Sequence, residues 1–126
     1  MTETTYATLL ERVVDDGIAA ARADYTREHQ KPMLEGSVAG FEACREKSPP
    51  ELAALLLDAR TETGARRRAE QDPENYWWAR CFDLEVEWVC NVMSAALMNS
   101  GQPVIVPPTM RGVKKAAEIL GVDMRA

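Results

Sequence analysis

The chain has 126 residues, of which 46% are hydrophobic and 28% are charged, which is typical of one globular domain and not of a disordered segment. Its net charge of −5 argues against a broad nucleic-acid-binding face, because such faces need clustered Lys and Arg side chains. The amino terminus lacks a basic start followed by an apolar core, and no apolar run reaches about 18 residues. We therefore expect a cytoplasmic protein with no signal peptide and no membrane-spanning segment.

The first two helices are predicted at residues 5–28 and residues 33–46. In the first, apolar residues recur at helical spacing, and charged residues fill the opposite side. Gly17 weakens this helix slightly and would let a neighbouring helix approach it closely. Residues 29–32 are predicted to interrupt the helical run, because a proline restricts the residue before it to extended or turn conformations.

A third helix is predicted to start at the sequence Ser48-Pro49-Pro50-Glu51. Ser48 can cap the helix, Pro49 suits its first position, and Glu51 completes a capping box. The apolar stripe that follows fades near Thr61, so the sequence leaves open whether residues 61–71 continue this helix.

The chain is organised around a long helix predicted at residues 73–99, which holds all three tryptophans and two of the three cysteines. At about 1.5 Å per residue it would be about 40 Å long. Asp72 can cap its first turn, Pro73 suits the first helical position, and Gly101 lies where a helix commonly stops. We therefore expect an all-α, single-domain bundle of about five helices over residues 1–126, in which the other elements enclose this helix on nearly every side.

An extended crossing segment and a short helix complete the predicted architecture. Residues 101–108 contain three prolines and three β-branched residues, which favour an extended chain. Thr109 can cap a last helix at residues 110–120, and Gly121 fits a left-handed helix end.

Residues 113–122 resemble the first helix and turn of bacterial helix-turn-helix domains, in which a recognition helix follows. Only four residues follow here, so we expect no nucleic-acid partner.

Five polar residues fall on one stripe of the long helix, whereas almost every other position on it is apolar. They are Arg80, Asp83, Glu87, Asn91 and Ser94. We interpret them as a solvated stripe with minor ion pairing, which contributes little to stability.

Glu85 does not fit this pattern, because it lies in the middle of the apolar arc. Its neighbours one helical turn away are Cys81, Phe82, Trp88 and Val89, none of which can pair with a carboxylate. An unpaired buried charge is costly, so Glu85 needs a partner from elsewhere or must stay protonated. Candidate partners are Arg111, Lys114, Lys115 and the arginines at residues 66–68, which would clamp another segment onto the bundle.

The functional alternative is a small-ligand pocket around Glu85, with Trp78 or Trp88 as its wall and Arg111 as the partner of an anion. Glu85 would then be the candidate catalytic acid or base. A simpler alternative is an ion pair, or a Glu85 side chain left exposed near the helix end. The start of the last helix, at residues 109–112, is a weaker candidate anion site, for which capping by Thr109 is the simpler explanation.

The composition excludes several kinds of catalytic and metal site. His29 is the only histidine, so a two-histidine metal site cannot form. The three cysteines have no pairing spacing and are expected to be free, mostly buried thiols in a reducing compartment. The chain has no phosphate-binding glycine loop and no nucleophile motif. We therefore expect neither a metal nor a cofactor.

Two classes of function remain open. Six methionines, three tryptophans and a long helix with two apolar sides favour a non-enzymatic interaction or regulatory protein that acts through apolar helix surfaces. Its partner would be a second copy of the chain, as in the common two-fold homodimer, or another protein. The alternative is a small-ligand-binding protein or enzyme built around Glu85. The sequence does not identify the biological process or the ligand.

Overall fold

The computed structural model describes residues 3–61 and 73–121, which form five α-helices. These are α1 (Glu3–Asp24), α2 (Lys31–Cys44), α3 (Pro49–Arg60), α4 (Pro73–Asn99) and α5 (Met110–Leu120). The predicted all-α bundle around a long central helix is confirmed. No helix within these ranges is both long enough and apolar enough to cross a membrane.

The junction between α1 and α2 differs from the prediction. α1 ends at Asp24, and a short 3₁₀ turn, Glu28–Gln30, leads directly into α2. Pro32 therefore does not end a break in the chain, because it lies in the first turn of α2. Proline is tolerated there, since the first backbone N–H groups of a helix have no acceptor within it.

The predicted caps of α3 and α5 are confirmed. The Ser48 hydroxyl accepts a hydrogen bond from the Glu51 backbone N–H at 3.3 Å, and the Ser48 N–H donates to the Glu51 carboxylate at 3.0 Å. Thr109 caps α5, and Gly121 ends it in the left-handed conformation with φ 67°.

α3 ends at Arg60, because Thr61 already has an extended backbone. Asp72, which was predicted to cap α4, lies outside the described residues, as do the arginines at residues 66–68.

The C-terminal half of α4 forms the centre of the core. Its largest fully buried side chains are Val86, Val89, Cys90, Val92, Met93 and Leu97. Each of the other four helices packs apolar side chains against it, among them Leu10 and Val13 of α1, Phe41 of α2, Leu52 of α3 and Val113 of α5. The interior of the bundle is thus built from one face of every helix.

Two glycines of α2 lie directly against the backbone of α4. A Cβ atom added at Gly36 would overlap the Trp78 carbonyl, and one added at Gly40 would come within 2.7 Å of the Phe82 carbonyl oxygen. The two helices can approach this closely only because both positions lack a side chain. The close approach predicted at Gly17 is also confirmed, since the Phe41 ring lies where a Cβ atom would be.

The crossing segment is held to α4 by side chains of the predicted polar stripe. The buried Ser94 hydroxyl accepts hydrogen bonds from the backbone N–H groups of Ile105 at 3.0 Å and Val106 at 3.1 Å. The Asn91 amide donates to the Thr109 hydroxyl and accepts from the Thr109 N–H, both at 2.8 Å. The prediction of a solvated stripe is therefore wrong at this end of α4, because an extended segment needs partners for its backbone groups.

The prediction that α4 is enclosed on nearly every side is wrong for its N-terminal half. Trp77 is 47% exposed and Leu84 is 43% exposed, and the Tyr76 ring beside them is exposed as well. The other side of this half is in contact with α2 through Gly36 and Gly40.

The contact between α2 and α4 predicts a large effect of a single methyl group. We expect Gly36→Ala to lower the free energy of unfolding by about 2 kcal/mol, because overpacking against a rigid backbone outweighs the better helix propensity of Ala. Gly101→Ala is the control, since nothing lies within 4 Å of that position. Gly101→Ala should lower the free energy of unfolding by about 1 kcal/mol, solely because the backbone at this position is left-handed. Urea unfolding measures both variants, and a stabilised Gly36→Ala protein would contradict the close contact.

Ser94 provides a second stability prediction. We expect Ser94→Ala to lower the free energy of unfolding by about 2 kcal/mol, because it removes the acceptor of two backbone N–H groups. Hydrogen exchange of the Ile105 and Val106 amides should become faster. Ser100→Ala is the control, because the Ser100 hydroxyl donates to carbonyls of the last turn of α4 and does not hold the crossing segment. Its effect should stay within about 0.5 kcal/mol, and unchanged exchange at Ile105 in Ser94→Ala would contradict the proposed anchoring.

Candidate functional site

A groove of about 380 Å³ opens beside Glu85 and is lined by residues of α1, α2, α4 and α5. The groove brings together three of the four predicted site residues, Glu85, Trp88 and Arg111. Tyr25 and Lys115 also line it, and neither was predicted as a site residue. The proximity of α1 and α5 could not be inferred from spacing within α4 alone.

Trp78, the fourth predicted residue, is not among the residues that line this groove. Its ring stacks on Phe82 at 5.2 Å between centroids, and its backbone lies against Gly36 of α2. Trp78 does lie on the same side of α4 as Glu85, but two helical turns, about 10 Å, separate them along the axis. Trp88 is therefore the tryptophan that lies beside the carboxyl group.

The Glu85 carboxyl is partly buried, and burial raises its pKa to about 7 from the ordinary value of 4.5. Glu85 forms no ion pair with any residue in ranges 3–61 and 73–121. The predicted clamp by Arg111, Lys114 or Lys115 is thus not formed. Lys115 pairs instead with Asp16 of α1 at 3.4 Å, and the Arg111 guanidinium lies 5.7 Å from the centre of the Trp88 ring.

Three other polar side chains gather beside Glu85, and we call these four residues the Glu85 cluster: Tyr25, Ser37, Cys81 and Glu85. The Tyr25 hydroxyl lies 4.0 Å from the Cys81 sulfur. Burial raises the pKa of Tyr25 and of Cys81, and the nearby Ser37 hydroxyl lowers the pKa of both, as it does for Glu85. The Ser37 oxygen is itself buried and interacts with all three of these groups. The cluster is thus a set of polar side chains that contact one another within an apolar surrounding.

One feature of the sequence could have predicted that Ser37 is buried, although hydrophobic periodicity does not detect it. Ser37 lies between Gly36 and Gly40, in a run of small residues that faces α4. A serine in a close helix contact is buried whatever its polarity, because no space remains for water around it. A test for small residues spaced four apart would therefore have placed Ser37 near α4.

The three cysteines are free and buried, as predicted. Burial raises the pKa of Cys44 to about 12 and that of Cys90 to about 11. Thiols with such values stay protonated near neutral pH and are poor nucleophiles.

The start of α5 is capped by protein groups. The Thr109 hydroxyl accepts from the Gly112 N–H at 3.5 Å, and the Asn91 side chain lies directly over Gly112. The simpler explanation of residues 109–112, ordinary capping, is therefore confirmed. Within the parts of the chain that the structure describes, no three His, Cys, Asp or Glu side chains gather as a metal site would require.

A second candidate surface is the outer face of α4, which we define as Trp77, Arg80, Leu84 and Glu87. Trp77 and Leu84 are two helical turns apart and therefore lie on one stripe. Arg80 and Glu87 are exposed on the same flank of that stripe, and Glu87 pairs with Arg60 of α3 at 3.1 Å. Met110, which is 66% exposed, shares a surface depression with Leu84.

Comparison with known proteins does not assign the chain to a family. No protein-family model matches it, and no curated protein or solved structure matches it. The geometry of the groove and of the outer face therefore carries the functional argument.

The raised pKa of Glu85 predicts how stability depends on pH. A carboxyl whose pKa is raised by folding holds its proton more tightly in the folded chain than in the unfolded chain. The stabilisation from protonated Glu85 is complete below pH 4.5, the pKa of this group in the unfolded chain, and is lost as the pH rises to about 7. Glu85→Gln removes this loss of stability at high pH, because the amide is neutral at every pH.

We expect Glu85→Gln and the wild-type protein to have similar stability at pH 4. At pH 8 the variant should be more stable by about 1–2 kcal/mol, a value reduced to allow for partial solvent screening. Glu87→Gln is the matched control, since it leaves Glu85 in place and should keep the wild-type slope. Chemical unfolding from pH 4 to pH 8 tests this, and parallel curves for the wild type and Glu85→Gln would contradict the raised pKa.

Proposed function

We propose that this protein is a non-enzymatic interaction protein that pairs with a second copy of itself through the outer face of α4. The proposal is carried by the exposure of Trp77 and Leu84 on one stripe of a helix whose C-terminal half is the centre of the core. Met110 borders a surface depression together with Leu84, and Trp77 lies two helical turns away on the same stripe of α4 as Leu84. Exposed large apolar side chains that share one stripe commonly mark an interface.

The charges on the outer face favour a second copy of the chain as the partner. Arg80 and Glu87 lie on the same flank, at nearly equal distances on either side of Leu84 along the helix. In an antiparallel pairing about a two-fold axis beside Leu84, each Arg80 would face Glu87 of the partner subunit. A two-fold interface is self-complementary in this way, since the same residues meet from both sides.

The chemistry of the described residues supports binding rather than covalent catalysis. The thiols are buried and have raised pKa values, which removes the usual reason to propose a cysteine nucleophile. The free cysteines also support a reducing compartment, and we propose the cytoplasm.

Light scattering coupled to size-exclusion chromatography tests the dimer. We expect the wild-type protein to have twice the 14.0 kDa mass of the chain at micromolar concentration. Leu84→Glu should be monomeric, because it would place two acidic groups next to each other at the two-fold axis. Val104→Glu is the matched control, since Val104 is 41% exposed against 43% for Leu84 and lies on the crossing segment.

Charge-reversal variants test whether Arg80 and Glu87 meet across the interface, because they remove no apolar side chain. Arg80→Glu and Glu87→Arg should each weaken the dimer, because each places like charges opposite one another. The double variant should restore it, since the pairs are then reversed and complementary. A monomeric wild-type protein, or a double variant weaker than both single variants, would contradict the proposed arrangement.

A further inference from the structure

We propose that the Trp77 side chain of each subunit inserts into the depression beside Leu84 of the other subunit and packs against Met110 there. This inference rests on the proposed two-fold dimer and identifies the side chain that anchors it. The depression lies between α4 and the first turn of α5 and has a volume of about 580 Å³. Each subunit would thus supply one anchor and one receiving site.

The first argument is the position of Trp77 relative to Leu84. Trp77 and Asn91 lie seven residues before and seven residues after Leu84, about 10 Å from it in opposite directions along α4. Seven residues are almost two full turns, so the three side chains share one stripe. A two-fold axis beside Leu84 reverses the direction of the second helix. It therefore places the partner's Trp77 opposite Asn91.

The second argument is that Asn91 holds the start of α5 at the same level. Its side-chain amide forms two hydrogen bonds with Thr109, both of 2.8 Å. Met110 follows as the first residue of α5 and is 66% exposed. Asn91, Thr109 and Met110 all line the depression. An indole that arrives opposite Asn91 therefore meets the exposed methionine.

A single two-fold axis accounts for both the charged and the apolar contacts. Arg80 precedes Leu84 by four residues and Glu87 follows it by three, so the axis that pairs these charges lies half a residue from Leu84. The axis that brings the partner's Trp77 to Asn91 lies at Leu84 itself. The two positions agree to within about 1 Å along the helix. Side chains of different chemistry thus favour the same register.

The depression is chemically suited to an indole ring. Leu84, Trp88 and Met110 provide apolar walls, and a methionine sulfur makes favourable contacts with aromatic rings. The Asn91 carbonyl oxygen accepts one hydrogen bond, from Thr109, and has a second lone pair for the indole N–H. Trp77 is 47% exposed in the single subunit. Tryptophans that become buried in a pocket of the partner commonly dominate the binding energy.

Sedimentation equilibrium of single variants measures how much each side chain contributes. Trp77→Ala should raise the Kd of the dimer by about tenfold or more, because it removes the anchor from both contacts. Met110→Glu should raise it as well, because a carboxylate would be desolvated against the ring. Tyr76→Ala is the matched control, since Tyr76 is 49% exposed and lies about 100° around the helix from Trp77. It should change the Kd by less than about threefold.

Mixing Trp77→Ala with Met110→Glu tests whether the two side chains contact each other. In each variant homodimer both contacts are damaged. In the mixed dimer both changes fall in one contact, and the other contact keeps its Trp77 and its Met110. We therefore expect the mixed dimer to be tighter than either homodimer, beyond the statistical advantage of a mixed pair. Native mass spectrometry identifies the mixed dimer, because the two variants differ in mass.

The outcomes separate this inference from the dimer itself. A mixed dimer of strength intermediate between the two homodimers would overturn the insertion, because the two changes would then act independently. An effect of Trp77→Ala no larger than that of Tyr76→Ala would overturn it too. In both cases a wild-type dimer would leave the proposed function standing, whereas a monomeric wild-type protein would overturn both. A tight mixed dimer also shows that both variants fold.

Discussion

The contact of α2 with α4 through Gly36 and Gly40 is the constraint on which the rest of the structure depends. Without side chains at these positions, the two backbones meet directly, and the Cβ atom of Glu85 lies 3.2 Å from the position of a Cβ atom at Gly40. This approach buries Ser37 and draws the Glu85 carboxyl out of water. The raised pKa of Glu85 is thus a consequence of helix packing, since burial is its largest cause.

The same contact divides α4 into two environments. Its C-terminal half is surrounded by four helices and by the crossing segment that Ser94 holds in place. Its N-terminal half is covered by α2 on one side and exposes Trp77 and Leu84 on the other. The groove with its polar cluster and the outer face therefore arise from one helix, and Glu85, Trp88 and Arg111 border both the groove and the depression beside Leu84.

Much of the fold followed from local signals in the sequence, because helix caps and hydrophobic periodicity act over a few residues. The capping box at Ser48 and the left-handed Gly121 formed as predicted. Glu85 was identified as anomalous for the right reason, since its neighbours on the helix could not pair with it. The candidate site was predicted less well: Trp88 and Arg111 lie beside Glu85, whereas Trp78 does not, and Tyr25 and Ser37 were missed.

The sequence by itself determined the helices, the ends that carry capping signals and the position of a carboxyl among apolar side chains, since each depends on neighbours within one or two turns. Only the tertiary structure decided that Asn91 and Ser94 bond to the crossing segment and that no lysine or arginine among the described residues pairs with Glu85. It also decided that the outer face of α4 is exposed. These outcomes depend on the register and depth at which helices distant in sequence meet, and helical periodicity within one segment contains no information about either.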